Sequence, residues 1–285
     1  MIEPLQKGDL LIDDMVGVEG GEDCFHVWWL GQSGFLLKWN GEFLLFDPYL
    51  SDSLSRKYEG TDKPHVRMSE LVVDPSRLAF VKSVTSSHNH TDHLDRETLC
   101  AISEASGGVS LVLPEANIGF AKERLIGGAI DYVGINEMVV TRTGPWRIEG
   151  IAAAHNEVER DGEGRCVFLG FQVTFGGFRV YHSGDTLWHE ELVSQLRGGP
   201  PDLALLPING NKPERRVAGN LNGREAAELA HTIGARMVVP CHYDMFTFNT
   251  EEPDEFISFC ERLGQSYRVM KGGERLTIHR GKAES

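Results

Sequence analysis

The chain has 285 residues, 41% hydrophobic and 25% charged, enough for a sizeable buried core, and no low-complexity tract or Pro/Ser-rich linker divides it. Its 28 basic and 42 acidic side chains give a formal charge of −14, a field that repels polyanions and argues against nucleic acid as a partner. No apolar run approaches the ~20 residues that span a bilayer, and the acidic start (Glu3, Asp9, Asp13, Asp14) is unlike a signal peptide, so neither a membrane nor export is expected. Cys24, Cys100, Cys166, Cys241 and Cys260 are scattered and odd in number, which fits reduced thiols in a cytoplasm.

Trp28 and Trp29 alternate along an early strand, so at most one of them faces a pocket. Asn40-Gly41 between apolar runs 35–39 and 42–46 predicts a hairpin, because both turn positions tolerate positive φ. The run 78–85 is apolar and β-prone. Further strands are expected over 109–113, 138–142, 146–151, 203–206 and 237–240, with a second hairpin where Gly176-Gly177 joins 168–175 to 178–182. Helical patterns cover 96–104, 115–125, 187–195, 224–232 and 254–263, the last opened by Pro253-Asp254-Glu255. Periodicity alone gives α with β. The loop Asp161-Gly162-Glu163-Gly164 either covers a site or joins two strands.

The chemistry concentrates in Ser87-His88-Asn89-His90-Thr91-Asp92-His93-Leu94-Asp95, which places three imidazoles and a carboxylate within six residues. Imidazoles and carboxylates are costly to bury unpaired, so this spacing is poor core filling. A turn leaving a strand points His88 and His90 to one side, Asp92 and His93 to another, which suits two adjacent metal ions. Alone, Asp185 reads as a helix N-cap and His155 as a packed histidine. His182 and His189 fit a core, a surface or a site equally. Cys241 is expected to pack, with strand alternation turning it away from His242.

The pattern H-x-H-x-D-H at His88, His90, Asp92 and His93 resembles the signature of the metallo-β-lactamase superfamily. Asp47 in Phe46-Asp47-Pro48, His155 after Ile151-Ala152-Ala153-Ala154, Asp185 in His182-Ser183-Gly184-Asp185 and His242 after Cys241 are similar to its further stations, in the same order. The resemblance implies an α/β fold, a four-layer αββα sandwich forming one domain over 1–285, with 1–24 as an N-terminal extension. It implies one metal held by His88, His90 and His155, another by Asp92, His93 and His242, and Asp185 bridging them. Asp47 is then expected to hydrogen-bond a ligand from beneath the site. The ligand set, N and O without thiolate, admits Zn²⁺, Mn²⁺, Fe²⁺ or Co²⁺ without choosing among them; the resemblance implies Mn²⁺, with Zn²⁺ next.

Three segments narrow the resemblance: Trp29-Leu30-Gly31-Gln32-Ser33-Gly34, Pro207-Ile208-Asn209-Gly210 and His242-Tyr243-Asp244-Met245-Phe246 look like the branch of L-ascorbate-6-phosphate lactonases. The implied activity is opening of a phosphorylated sugar lactone, with Asp92 and Asp185 in catalysis. Asn209, Asn211, Arg215, Arg216 and Asn220 are the expected contacts to a small anionic substrate. One departure is Asn211-Lys212 after Asn209-Gly210, where many members of the branch carry arginine. The branch also implies a homo-oligomer. A phosphodiesterase on the same scaffold and a di-iron oxidoreductase are the alternatives; the second normally needs a flavin domain, for which the chain has no glycine-rich fingerprint.

Overall fold

The computed structural model describes residues 1–196 and 198–281. In chain order its first half comprises α1 (Gly8–Gly17), β1 (Cys24–Gly31), β2 (Gly34–Trp39), β3 (Glu42–Phe46), α2 (Ser53–Lys57), β4 (Ser83–Thr85), α3 (Arg96–Ser106), β5 (Val109–Pro114), α4 (Ile118–Arg124) and β6 (Ile130–Ile135). The second half adds β7 (Val140–Thr143), β8 (Trp146–Ala152), β9 (Leu169–Phe175), β10 (Phe178–His182), α5 (Leu192–Gln195) and β11 (Leu203–Pro207). It ends with α6 (Gly223–Thr232), β12 (Val238–Cys241), α7 (Asp254–Leu263) and β13 (Arg275–His279).

A seven-stranded sheet runs β13-β1-β2-β3-β4-β5-β6 and a six-stranded sheet runs β12-β11-β10-β9-β8-β7. Their inner faces share one core, in which Val27, Trp29, Phe35 and Phe46 meet Ile148, Phe171, Val173 and Val180. The outer face of the first sheet (Trp28, Leu36, Leu45, Val84) is covered by Leu11 and Met15 of α1 and Leu99 and Ile102 of α3. Ala226 and Ala230 of α6 and Phe256 of α7 join the core from the far side of the second sheet. This is the αββα sandwich that the family resemblance implies. Alternation in β1 buries both tryptophans, Trp28 outward and Trp29 inward, so neither faces a pocket.

Both hairpins form where expected. Asn40 and Gly41 (φ +49° and +80°) and Gly176 and Gly177 (φ +51° and +86°) take the left-handed conformations that a two-residue turn between twisted strands requires. Other expectations shift. The helix expected over 187–195 is confined to Leu192–Gln195, because the Leu187 N–H is captured by the Ala154 carbonyl. Asp185 is therefore no helix cap. Met138 turns at φ +58°, so its strand begins only at Val140. The 115–125 helix breaks into a 3₁₀ turn over Glu115–Asn117 and α4. The 161–164 segment is a self-held turn whose Asp161 carboxylate accepts from the N–H groups of Glu163 and Arg165. No helix among the described residues is long and apolar enough to cross a membrane, and all five cysteines are free.

For the site, the decisive property is where strands end. β3 and β4 run parallel, as do β10, β11 and β12. Asp47 follows β3, His88 follows β4, His155 follows β8, Asp185 follows β10 and His242 follows β12. Carboxyl ends of parallel strands are where loops carried on a rigid sheet gather function.

Candidate metal centre

The loop after β4 is fixed at both ends. Its Ser86 N–H donates to Val112, and the Asp95 carboxylate caps α3 by accepting from the Thr98 N–H. Between them His93 and Leu94 turn back onto the His90 carbonyl, and Arg124 donates to the Asn89 carbonyl at 2.6 Å. His88, His90 and His155 come together, as do Asp92, His93 and His242, and as do His88, His93 and Asp185; within each group the ligand atoms lie within 4.8 Å of one another.

Hydrogen bonds behind the rings fix which nitrogen faces inward. Ser87 Oγ donates to Asp47 and accepts from His88 Nδ1 at 3.0 Å. His93 Nδ1 donates to Asp47 Oδ2 at 2.7 Å, and His155 Nδ1 donates to the Gly219 carbonyl at 3.0 Å. Each Nε2 then faces the centre, those of His88 and His155 with a free lone pair and that of His93 with a proton that a bound cation would displace. His88 Nε2, His93 Nε2 and Asp185 Oδ1 are buried there without a hydrogen-bond partner. His93 Nε2 and Asp185 Oδ1 are 3.3 Å apart but misaligned for a bond. Convergent lone pairs and a carboxylate, all unsatisfied, are what a divalent cation satisfies and what a packed core avoids. The residues present fit the metal.

The electrostatics agree. Burial lowers His88 and His155 below the ordinary histidine range, keeping both neutral and able to ligate. Burial works the same way on His93 and His242, but the carboxylates of Asp185 and Asp92 outweigh it, holding His93 well above the usual value and His242 up to about 9. Burial pushes Asp185 up, yet the His93 and His242 rings keep its carboxyl well below the ordinary range. Two carboxylates held ionised in a buried centre call for positive charge.

Asp47 lies where expected, fully buried beneath the loop, accepting from the Ser87 N–H, Thr85 Oγ1 and His93. Gln32 carries no expectation from the sequence beyond its place in the Gly31-Gln32-Ser33 segment. It donates through Nε2 to Asp92 Oδ2 at 2.8 Å and accepts the His242 N–H at its carbonyl. His242 leaves β12 at φ +62°, so a backbone reversal, and not strand alternation, separates its ring from the core-packed Cys241. His182 supports from inside, donating from Nε2 to the Ser33 carbonyl and stacking on Phe46, and His189 bonds the Ala152 carbonyl.

The centre opens onto a cavity of about 440 Å³ with His90, Asp92, His155, Asp185 and His242 on one side. Lys57, Lys63, Arg124 and His65 also line it, with Asn89, Thr91 and Asn249. Among the described residues lining it, none of the five expected substrate contacts appears. Asn209 and Asn220 are buried and bond each other, and Asn209 also donates to Asn249. Arg215 is spent on the carbonyls of Asn209 and Thr250 and on Glu251, and exposed Arg216 pairs with Asp62. Asn211 is exposed, with its side chain beside Gly219. These residues hold the loop that backs His155, because its own carbonyls and amides absorb their donors. The loop reaches the cavity through Val217 and Ala218 instead.

Residues 43–243 match the family model described as the beta-lactamase superfamily domain, and a metal-dependent hydrolase of Rubrobacter xylanophilus is 30% identical over 260 residues, 88% of this chain and 95% of that protein. The chain belongs to the metallo-β-lactamase superfamily. The metallo-β-lactamase fold protein YhfI of Bacillus subtilis superposes with a TM-score of 0.65 at 16% identity, over 90% of this chain and 100% of that one. An isothiocyanate hydrolase from Delia radicum gut bacteria gives a TM-score of 0.70 at 16% identity, over 89% and 99% of the two chains. Within the superfamily, the match to metal-dependent hydrolases over nearly their whole length makes this chain a metal-dependent hydrolase.

Proposed function

We propose that the chain hydrolyses a small anionic ester, with a sugar lactone as the substrate class, using two divalent cations, Mn²⁺ or Zn²⁺. One site is formed by His88, His90 and His155, the other by Asp92, His93 and His242, with Asp185 shared. The single observation that carries this reading is the set of buried, unpartnered atoms on His88, His93 and Asp185 beside a cavity lined by Lys57, Lys63 and Arg124. The chemistry that divalent cations contribute when bound is water activation near neutral pH and polarisation of the attacked carbonyl.

The chain's own residues supply the rest. Lys57, Lys63 and Arg124 attract and orient an anionic group, Arg124 with one Nη already fixed on the loop carbonyls of Asn89 and Leu94. Asp92, oriented by Gln32, accepts the proton released by the attacking water and returns it to the ring oxygen as the lactone opens. His65 Nδ1 donates to the Lys63 carbonyl at 2.8 Å, and its ring is stacked on Tyr58, which leaves a neutral Nε2 as acceptor on the cavity wall. A net charge of −14 and a cavity of this size favour a small substrate over a polymer.

The test is a side-by-side rate measurement on the Mn²⁺- or Zn²⁺-loaded protein. Substrates are a phosphorylated sugar lactone, the same lactone without phosphate, a phosphodiester and an isothiocyanate. The reading expects the phosphorylated lactone to be opened fastest and Lys63→Gln to raise its KM selectively. Faster turnover of the phosphodiester or the isothiocyanate would replace it.

A further inference from the structure

The second sheet carries a second concentration of positive charge at its other end. Register places Arg142 of β7 directly opposite Arg147 of β8, Arg147 opposite Thr174 of β9, and Thr174 opposite Arg179 of β10. Directly opposed residues share a face, so these side chains form one row across four strands. The alternate positions, Trp146, Phe175 and Phe178, point into the core, so the row lies on the outer face. Asp202 and Arg236 continue it: the Arg179 N–H donates to Asp202, which also pairs with Arg236. The row lines a groove walled by Gly198, Gly199 and Pro200. Arg147 is the second residue of β8 and Ala152 the last, so at about 3.3 Å per residue the row is roughly 17 Å along the strand from the end that leads to His155.

Two features of this row are unfavourable as they stand. Like charges directly opposite on neighbouring strands repel, yet Arg142 and Arg147 are so paired in a chain of net charge −14, where cations are outnumbered. Glu149 reaches Arg147 and Asp202 reaches Arg236, whereas Arg142 and Arg179 have no carboxylate partner among the described residues. Arg179 also buries its Nε without a hydrogen-bond partner, although its Nη1 bonds the Gly199 carbonyl. Gly198 and Gly199 sit at φ +101° and +110°, and a Cβ on either would come within 3.2 Å of the Arg179 guanidinium. The loop is shaped to lie against that group.

We propose that this row is a binding site for a linear oligophosphate, such as the phosphate tail of a nucleoside triphosphate, separate from the metal centre. Guanidinium groups bind phosphate oxygens in bidentate fashion. Strands about 4.8 Å apart put Arg142 and Arg179 roughly 14 Å apart across the row, with Arg147 and Thr174 between them, which suits consecutive phosphates and not one small anion. An extended nucleic acid is disfavoured by the chain's net charge of −14.

Titrating the metal-loaded full chain with the Mg²⁺ complex of a fluorescent nucleoside triphosphate, read by anisotropy at physiological ionic strength, tests this. Saturable binding is expected, weakened about tenfold or more in Arg142→Gln/Arg179→Gln, since charge-assisted hydrogen bonds are lost. Circular dichroism and metal content of that variant should be unchanged. Lys63→Gln, which alters the cavity at the metal centre and the bond to the Arg216 carbonyl but leaves the arginine row intact, should bind as the parent does. Absence of saturable binding, or binding that survives the double substitution, overturns the proposal. So does loss of binding in Lys63→Gln, which would put the oligophosphate in the hydrolytic cavity.

Discussion

Asp47 shows how one carboxylate can set several ligands. It is fully buried at φ +38° and accepts from the Ser87 N–H, from Ser87 and Thr85 hydroxyls and from His93 Nδ1. Asp47→Ala strands all of these donors in the core. The expected cost is about 3–5 kcal/mol, by analogy with removing one partner of a buried pair. A ten- to hundredfold loss of metal affinity is expected as well, the usual size for an outer partner of a ligand histidine. Denaturant unfolding and metal titration of the same variant check both, and loss of stability with unchanged affinity would separate Asp47 from the site. Gln32→Leu should do the reverse, sparing stability while slowing turnover, because Asp92 and the His242 ring, which Gln32 Nε2 reaches at 2.8 and 3.0 Å, both lose it. The candidate ligand cluster is legible in the sequence, since three imidazoles and a carboxylate within six residues have few other uses. Gln32 is not, because its role arises only when His242 reverses at φ +62° and returns its N–H to the Gln32 carbonyl.

At the scale of elements, the candidate site depends on close approach between two strand ends. Gly184 lies at φ +59°, and a Cβ there would fall 2.5 Å from Ser87 Cβ. Gly184→Ala is therefore expected to cost more than about 1 kcal/mol and to displace Asp185 from His93. A thermal melt together with a metal titration reads the two effects. The helix α1 lies in the segment read from sequence as an N-terminal extension. Its acidic residues and exposed Leu10 and Val16 obscure the two side chains that matter, Leu11 and Met15, both fully buried against the first sheet. Lys38 reinforces them by donating to the carbonyls of Met15, Val16 and Val18. Leu11→Ala should cost about 2–5 kcal/mol in denaturant unfolding. Strands with glycine-marked turns were legible; β6 and β13 were not, because their burial is partial and comes from neighbours remote in sequence.

Across the whole molecule, the cations that line the cavity come from separate places: Lys57 at the end of α2, Lys63 in the following loop and Arg124 at the end of α4. No motif links them, which is why the sequence pointed instead to the compact cluster after Asn209. Acid sensitivity is also a global property. Burial holds His26, His65 and His182 below the ordinary value of 6.5, so the unfolded chain binds more protons than the folded one. Their contribution is complete above that value and is lost as pH falls below it, through their folded values. Denaturation midpoints should therefore drop on the acid side of about 6.5; a flat profile there would show that these rings charge freely in the folded state. The most direct test of the account is calorimetric titration of the chelator-stripped chain with Mn²⁺ and with Zn²⁺, alongside Asp185→Asn. Saturable binding of two ions per chain is expected, with both sites weakened in the folded variant. No saturable binding, or binding indifferent to Asp185, would contradict it.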